Sequence, residues 1–340
     1  MTTSTATMRA IVQRAYGPPE QVLELAEIDR PVPGDDDVLV RMAATSVNTP
    51  DWLTVSGTPS ILRLGSGLRR PATPVRGSDV AGTVAAVGRD VTDLRPGDEV
   101  FGAVWENRAR SRSGTFAEYV VVPADRLAPK PPGLSFEEAA AAVMSGITAL
   151  TAVRDVGRVG PGTRLLINGA SGGVGTFAVQ IAARLGAQVT GVCSTRNVDF
   201  VRSLGADHVI DYTVEDYTRG NDRYDVILDN VLNHPPAATA RMLTAAGIFI
   251  PNSVGPGGGL LGGLPRVARA MTMRWGSTDV RTVTCVPDRE NLAAIAALLA
   301  SGEVASIIER TYPFEEAARA VAHMFGHRSR GNIVIGIDGR

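Results

Sequence analysis

The chain has 340 residues, a formal net charge of −1, 44% hydrophobic residues and 20% charged residues. That length suits two domains, the composition is that of an ordered globular protein, and the near-neutral charge excludes a global electrostatic footprint for nucleic acid. The polar start Met1–Met8 lacks the apolar stretch of a signal peptide, and no run of about 18 uncharged apolar residues marks a membrane span, so cytoplasm is the expected location.

As far as Val122 the chain reads as short strands: Arg9–Gln13, Val38–Ala43, Gly82–Val87, Glu99–Ala103 and Phe116–Val122. Turn clusters such as Pro33-Gly34-Asp35 and Pro96-Gly97-Asp98 separate them, and this spacing predicts an irregular β-barrel. Pro129-Lys130-Pro131-Pro132-Gly133 is a stiff connector. Its Lys130 is the only lysine in the chain, so a Schiff-base mechanism would have to use it. Ser135 with Glu138 forms a capping-box pattern that opens an alanine-rich helix.

Beyond the connector the rhythm becomes strand, helix, strand, helix. Strands are predicted over Arg164–Asn168, Gln188–Cys193, His208–Ile210, Tyr224–Leu228, Ile248–Ile250 and Arg281–Val286, with helices such as Gly173–Leu185 and Val198–Leu204 between them. This alternation predicts a doubly wound parallel sheet with helices on both faces. Between the last two strands, Gly255–Gly276 is glycine-rich and then basic and apolar. It has the pattern of an amphipathic helix that could touch a membrane surface, but a packing element or a lobe over the cleft is the expected role. A helix on Leu292, Ile295 and Leu299, another around Glu315–Phe325, and a final strand Asn332–Ile337 complete the chain.

The strongest motif is Gly169-Ala170-Ser171-Gly172-Gly173-Val174-Gly175, which the strand Arg164–Asn168 enters directly and a helix leaves. Small residues let the backbone turn sharply and let a pyrophosphate approach the helix N-terminus, where free N–H groups favour anions. Strand Gln188–Cys193 then leads to Ser194-Thr195-Arg196-Asn197, with no acid to repel a 2′-phosphate and an arginine suited to bind one. The expected cofactor is NADPH.

A metal is not expected. The first 192 residues contain neither Cys nor His, and only Cys193 and Cys285 occur in the chain. The pair His323 and His327 reads as a helix end rather than a ligand set, and His208 and His234 are isolated.

Taken with Gly77-Ser78-Asp79-Val80-Ala81-Gly82, Pro96-Gly97-Asp98-Glu99-Val100, Gly114–Tyr119, Gly146–Leu150, Leu204-Gly205-Ala206-Asp207 and Gly331–Ile335, the phosphate loop completes an ordered set of stretches. In this order the chain resembles the zinc-independent medium-chain dehydrogenases/reductases, in their quinone-oxidoreductase-like branch. The resemblance implies an α/β protein with a GroES-like β-barrel catalytic domain over 1–130 and a Rossmann NADPH-binding domain over 131–287. A C-terminal segment, 288–340, returns to the first domain.

The resemblance also places residues. Asn48 and Thr148 would lie near the nicotinamide, and Gly172, Gly173 and Val174 against the pyrophosphate. Ser194, Arg196 and Tyr212 would surround the 2′-phosphate, with Asn252, Ser253 and Asn332 along the cofactor. Ala170, Ser171, Gly175, Thr195, Asn230, Val231 and Gly331 belong to the same set. Three departures stand out: Asn48-Thr49-Pro50-Asp51 where the family often shows Asn-Pro-x-Asp, Leu232 where relatives often carry glycine, and Asn332 where a lysine is common.

Hydride transfer to a quinone or an α,β-unsaturated carbonyl is the implied reaction, with Asn48 polarising a carbonyl and Asp51 as a candidate proton donor beside Tyr16 and Tyr119. The alternatives are a zinc-free alcohol/carbonyl oxidoreductase and a non-catalytic NADPH-binding protein. A homodimer through the edge strand 281–286 is expected.

Overall fold

A computed structural model describes residues 6–105, 113–254, 261–326 and 329–337. His327 and the 255–260 part of the basic segment lie outside these residues.

The N-terminal part forms β1 (Thr7–Gln13), β2 (Leu23–Asp29), β3 (Asp37–Val47), β4 (Asp79–Val87), β5 (Glu99–Ala103), β6 (Tyr119–Pro123) and β7 (Leu127–Pro129). The nucleotide-fold part forms β8 (Arg164–Asn168), β9 (Gln188–Cys193), β10 (His208–Asp211), β11 (Tyr224–Asp229), β12 (Leu243–Pro251) and β13 (Asp279–Val280). The chain ends with β14 (Ile308–Pro313) and β15 (Asn332–Gly336).

β3 is the organising strand of the first sheet, because it pairs with β4, β6 and β15. Its buried Val38, Leu39, Val40, Met42 and Ala44 feed cores on both faces. β15 joins β3 antiparallel, with Ile333 opposite Val47, and so carries the end of the chain back to the first domain. The second sheet is parallel in the order β10-β9-β8-β11-β12-β13. Reversal of the winding at β8 opens a crevice at the carboxyl ends of its strands, which is where such sheets bind ligands.

Helix Phe136–Ala142, capped by Ser135 and Glu138 as the sequence predicts, packs against β3, β4 and β15. Ala139, Ala140, Ala141 and Ala142 are fully buried there. Alanine suits this position because it keeps helix propensity while letting helix and sheet approach closely. Among the described residues no single helix is long and apolar enough to cross a membrane.

The edge of the second sheet differs from expectation. Only Asp279 and Val280 ladder with β12, Arg281 adds one N–H···O bond to Phe249 (2.9 Å), and residues 281–288 then form no strand. Alternating apolar residues in Thr282–Val286 look like a strand, but here Val283 and Cys285 pack on the core, with Cys285 on the Met144 carbonyl, while Val286 is exposed. The basic segment is helical over Leu264–Thr272. Val267, Met271 and Met273 pack on the core around Phe249 and Val280, so its apolar face is occupied, while Trp275 stays 87% exposed.

Candidate functional site

The crevice is floored by the phosphate loop. Gly169 turns at φ 79°, in the left-handed region that favours glycine, and its carbonyl accepts the Gly172 N–H (3.2 Å). Gly172 then sits extended as the N-cap of helix Gly173–Arg184, without a side chain to occupy the helix mouth. Ala170 is fully buried, whereas Ser171, Gly172, Gly173 and Val174 are half-buried at the crevice. A Cβ on Gly175 would stand 2.1 Å from the Gly169 carbonyl oxygen, so glycine alone lets this helix close on the loop.

The tip where the sequence expects the adenosine lies beyond β9. Ser194 is half-buried, Thr195 and Arg196 are exposed, and Tyr212 is 57% exposed with its N–H on the Cys193 carbonyl (3.0 Å). Asn197, absent from the expected cofactor set, is buried; its amide donates to Ser171 Oγ (3.1 Å) and thereby ties this tip to the phosphate loop.

After β11 the chain folds over Asp229, whose Oδ1 accepts from Asn168 (2.8 Å), Leu232 N–H (2.7 Å) and Val231 N–H (3.1 Å). This places Asn230 and Val231 against Gly169 and joins Asn230 to Asn252 (2.8 Å). Ser253 follows, half-buried. Leu232 takes φ 55°, a backbone region that costs a branched residue about 1–2 kcal/mol. Its side chain is fully buried, and burying a leucine contributes about 1.5–3 kcal/mol, which offsets that cost.

Gly331 crosses from the C-terminal strand to the loop: its N–H donates to Ser171 O (2.8 Å) and it bridges Gly172. Asn332 is buried, with Oδ1 accepting from Ser145 (2.7 Å) and Nδ2 donating to Ile307 O (3.2 Å). Its side chain braces the two domains.

Around Asn48, where the sequence expects the nicotinamide, lies a polar cluster with almost no exposure. Asn48 stands at the N-cap of helix Thr49–Ser56. Its backbone N–H donates to Asp51 Oδ2 (2.8 Å), and Ser78 Oγ donates to Asp51 Oδ1 (3.0 Å). The Asn48 amide nitrogen donates to Asp79 Oδ2 (2.8 Å) and Ser46 Oγ (3.1 Å), and Ser46 donates to Asp79 Oδ2 as well. Both amide hydrogens of Asn48 are therefore held inward, toward Asp79. Thr148 is 7% exposed and hydrogen-bonds the Cys285 thiol.

Burial pushes the Asp79 carboxyl up to about 7; Asp51 raises it further, while Ser46, Asn48 and the Met144 N–H pull it down. Asp79 Oδ1 closes no hydrogen bond among the described residues. Burial also pushes Asp51 up to about 6, against the Asn48 N–H, the Ser78 hydroxyl and the Arg76 charge. In the sequence Asp79 stands out only as part of the Gly77–Gly82 stretch. Its burial and its hold on Asn48 depend on β3, β4 and helix Thr49–Ser56 meeting, which no local pattern announces.

Tyr16 and Tyr119, the other donor candidates, are engaged: Tyr16 donates to Gly67 O (2.6 Å), and the Arg30 guanidinium lies 4.0 Å over the Tyr119 ring. Cys193 and Cys285 are pushed up to about 11 and about 12, chiefly by burial, which makes both poor thiolate donors.

Two family profiles match: "Alcohol dehydrogenase GroES-like domain" over residues 34–132 and "Zinc-binding dehydrogenase" over residues 204–335. The chain is 36% identical over 282 residues to the mouse (Mus musculus) mitochondrial NAD(P)H oxidoreductase RTN4IP1, covering 77% of this chain and 70% of that one. It is 30% identical to the chloroplastic quinone-oxidoreductase QR1 of Triphysaria versicolor over 96% of this chain and 98% of that one. The quinone oxidoreductase of Coxiella burnetii superposes with TM-score 0.84 at 26% identity, covering 98% of this chain and all (100%) of its own.

A zinc ion, implied by one profile's description, does not fit the cluster at Asn48. Its donors are hydroxyls, an amide and two carboxylates bonded to one another, with no thiol or imidazole among them. A pyridine nucleotide does fit the loop, where a Cβ on Gly173 would meet Asn332 Oδ1 at 2.5 Å and one on Gly175 the loop backbone. By its two matched profiles, its relatives and this architecture, the chain belongs to the medium-chain dehydrogenase/reductase superfamily, as an oxidoreductase of the quinone-oxidoreductase-like branch.

Proposed function

We propose that the chain is an NADPH-dependent, zinc-independent reductase of conjugated carbonyls, taking quinones or enones and enals. The observation that carries this reading is the cluster of Asn48, Asp51 and Asp79. It pairs two buried carboxyls, pushed up to about 6 and about 7, with no metal donor set, so an acceptor already activated by conjugation suits it better than an unactivated alcohol. A quinone is itself a cyclic array of the C=C–C=O unit, so one site can serve both classes. The bound dihydronicotinamide would supply the hydride.

The chain's own residues would position the two partners. Gly169–Gly175 would hold the pyrophosphate and Asn230 and Asn252 the ribose side. Thr148 and the Asn48 cap would border the nicotinamide. The relatives named as quinone oxidoreductases and as an NAD(P)H oxidoreductase support the same reading. Purified enzyme should oxidise NADPH with a panel of benzoquinones, naphthoquinones, enals and enones. Failure on every member of that panel overturns the proposal.

The tip Ser194–Asn197 carries Arg196 and no acid of its own, with Asp211 engaged by Thr195 and Thr213, and this supports NADPH over NADH. Arg196→Ala should weaken NADPH by about tenfold or more, the weight of a bidentate charge-assisted contact, and leave NADH nearly unchanged. Equal losses for the two dinucleotides would remove Arg196 from the 2′-phosphate.

We further propose a homodimer in which residues 281–286, unladdered in the single chain, pair with a second copy. Light scattering should give twice the monomer mass, and Thr284→Pro, which sets a ring where a ladder would form, should shift it to monomer. Dimers that persist in the proline variant would place the interface elsewhere.

A further inference from the structure

The C-terminal segment brings a second arginine to the adenosine end of the cofactor site. Gly331 is fixed to the phosphate loop by its N–H on Ser171 O (2.8 Å) and its bridge to Gly172. One residue earlier, the Arg330 guanidinium carbon lies 3.8 Å from the centroid of the Phe200 ring. Phe200 stands on helix Val198–Ser203, four positions beyond Arg196, and its ring is half-buried against the core. The ring is thus a platform that holds the guanidinium over the helix that follows the Ser194–Asn197 tip.

The Arg330 backbone N–H donates to Glu309 (2.9 Å), but among the described residues the guanidinium makes no salt bridge. Asn332, two positions on at the start of β15, has its amide committed to Ser145 and Ile307. A stacked guanidinium keeps its N–H fork free in the ring plane, pre-organised for a phosphate.

We propose that Arg330 is a second binding residue for the adenosine 2′-phosphate, reaching from the C-terminal strand to the tip that carries Arg196. This rests on the NADPH reading above. The bound dinucleotide would then be gripped from both domains, by Arg196 on one side and Arg330 on the other.

Dissociation constants for NADPH and NADH, measured by titration calorimetry without substrate, test the proposal. Arg330→Ala should raise the NADPH constant about tenfold and leave NADH within about twofold, with Arg330→Lys between wild type and Ala. Phe200→Leu, which removes the platform but not the charge, should weaken NADPH by a smaller factor. Arg330 is exposed, so the unliganded melting temperature of Arg330→Ala should match wild type. Unchanged NADPH affinity in Arg330→Ala overturns the proposal. Equal losses for both dinucleotides do so too, by placing the guanidinium on the pyrophosphate. A wild-type protein that binds both dinucleotides equally overturns the NADPH reading itself.

Discussion

Gly175→Ala should abolish dinucleotide binding and lower stability, although alanine is the better helix former. Gly175 lies in the first turn of helix Gly173–Arg184, where propensity alone favours alanine by about 1 kcal/mol. The added methyl, however, would sit 2.1 Å from Gly169 O and 2.8 Å from the Ala170 carbonyl carbon and Cα. These are backbone atoms of the loop itself and cannot rotate aside. Relieving the clash means moving helix and loop apart by roughly 1 Å, and forcing a group into a packed site costs about 1–3 kcal/mol, so overpacking outweighs propensity. The same movement misaims the N–H groups that would face the pyrophosphate. Calorimetry should show at least about a hundredfold loss of affinity for NADPH and NADH alike, since the pyrophosphate is common to both. Gly160→Ala is the control, because a Cβ there meets nothing within 4 Å. Wild-type affinity in Gly175→Ala would show that the loop and helix have room to spare.

Much of this crevice is legible in the sequence because its parts are local. β5, β8 and β9 match their expected spans, since short apolar runs bounded by Pro-Gly-Asp or Gly signals leave little freedom. Elements that depend on distant partners were not legible. β2 (Leu23–Asp29) is mostly exposed and acidic, and only its pairing with β1 makes it a strand. β14 pairs with β15 alone. Helix Thr49–Ser56 hid behind Thr49-Pro50, although Asn48 with Asp51 three residues on was a usable signal for a capped start with proline in the first turn. Arg330 and Phe200 are separated by 130 positions in the chain, so their stacking leaves no trace in either neighbourhood. Leu232 is legible only as a departure; the structure adds that its left-handed backbone is the one a glycine would adopt freely, and that the buried side chain is what keeps leucine there.

Asp79 should set opposite pH dependences for activity and stability. Every group on its Oδ2 is a donor, Asn48 from one side and Ser46 from the other, so the ionised form organises the cluster. As pH falls through about 7 the carboxyl takes up a proton, the pull on the Asn48 amide weakens, and turnover should drop. Stability runs the other way. The free-chain value is 3.8 and the folded value about 7, so the folded state binds the proton more tightly. Between those values the protein gains stability as pH falls, and above about 7 it carries the full cost of a buried charge. Asp51, raised to about 6, adds to the same trend over a narrower window, and the two carboxyls titrate as a coupled pair. Arg76 and the Cys285 thiol are the other titratable groups in electrostatic reach, and neither changes charge between pH 5 and 8. Asp79→Asn keeps the shape and removes the charge. It should flatten the acid limb of kcat/KM near pH 7 and shrink the stability gain on acidification. Asp79→Leu should be far worse, because the Asn48 amide and the Ser46 hydroxyl each lose a buried acceptor, at about 1–3 kcal/mol apiece. Turnover should then fall by at least about a hundredfold, as expected when a buried polar network loses its central acceptor. If Asp79→Asn retains the wild-type acid limb, the proton that governs turnover sits elsewhere, with Asp51 as the next group to replace.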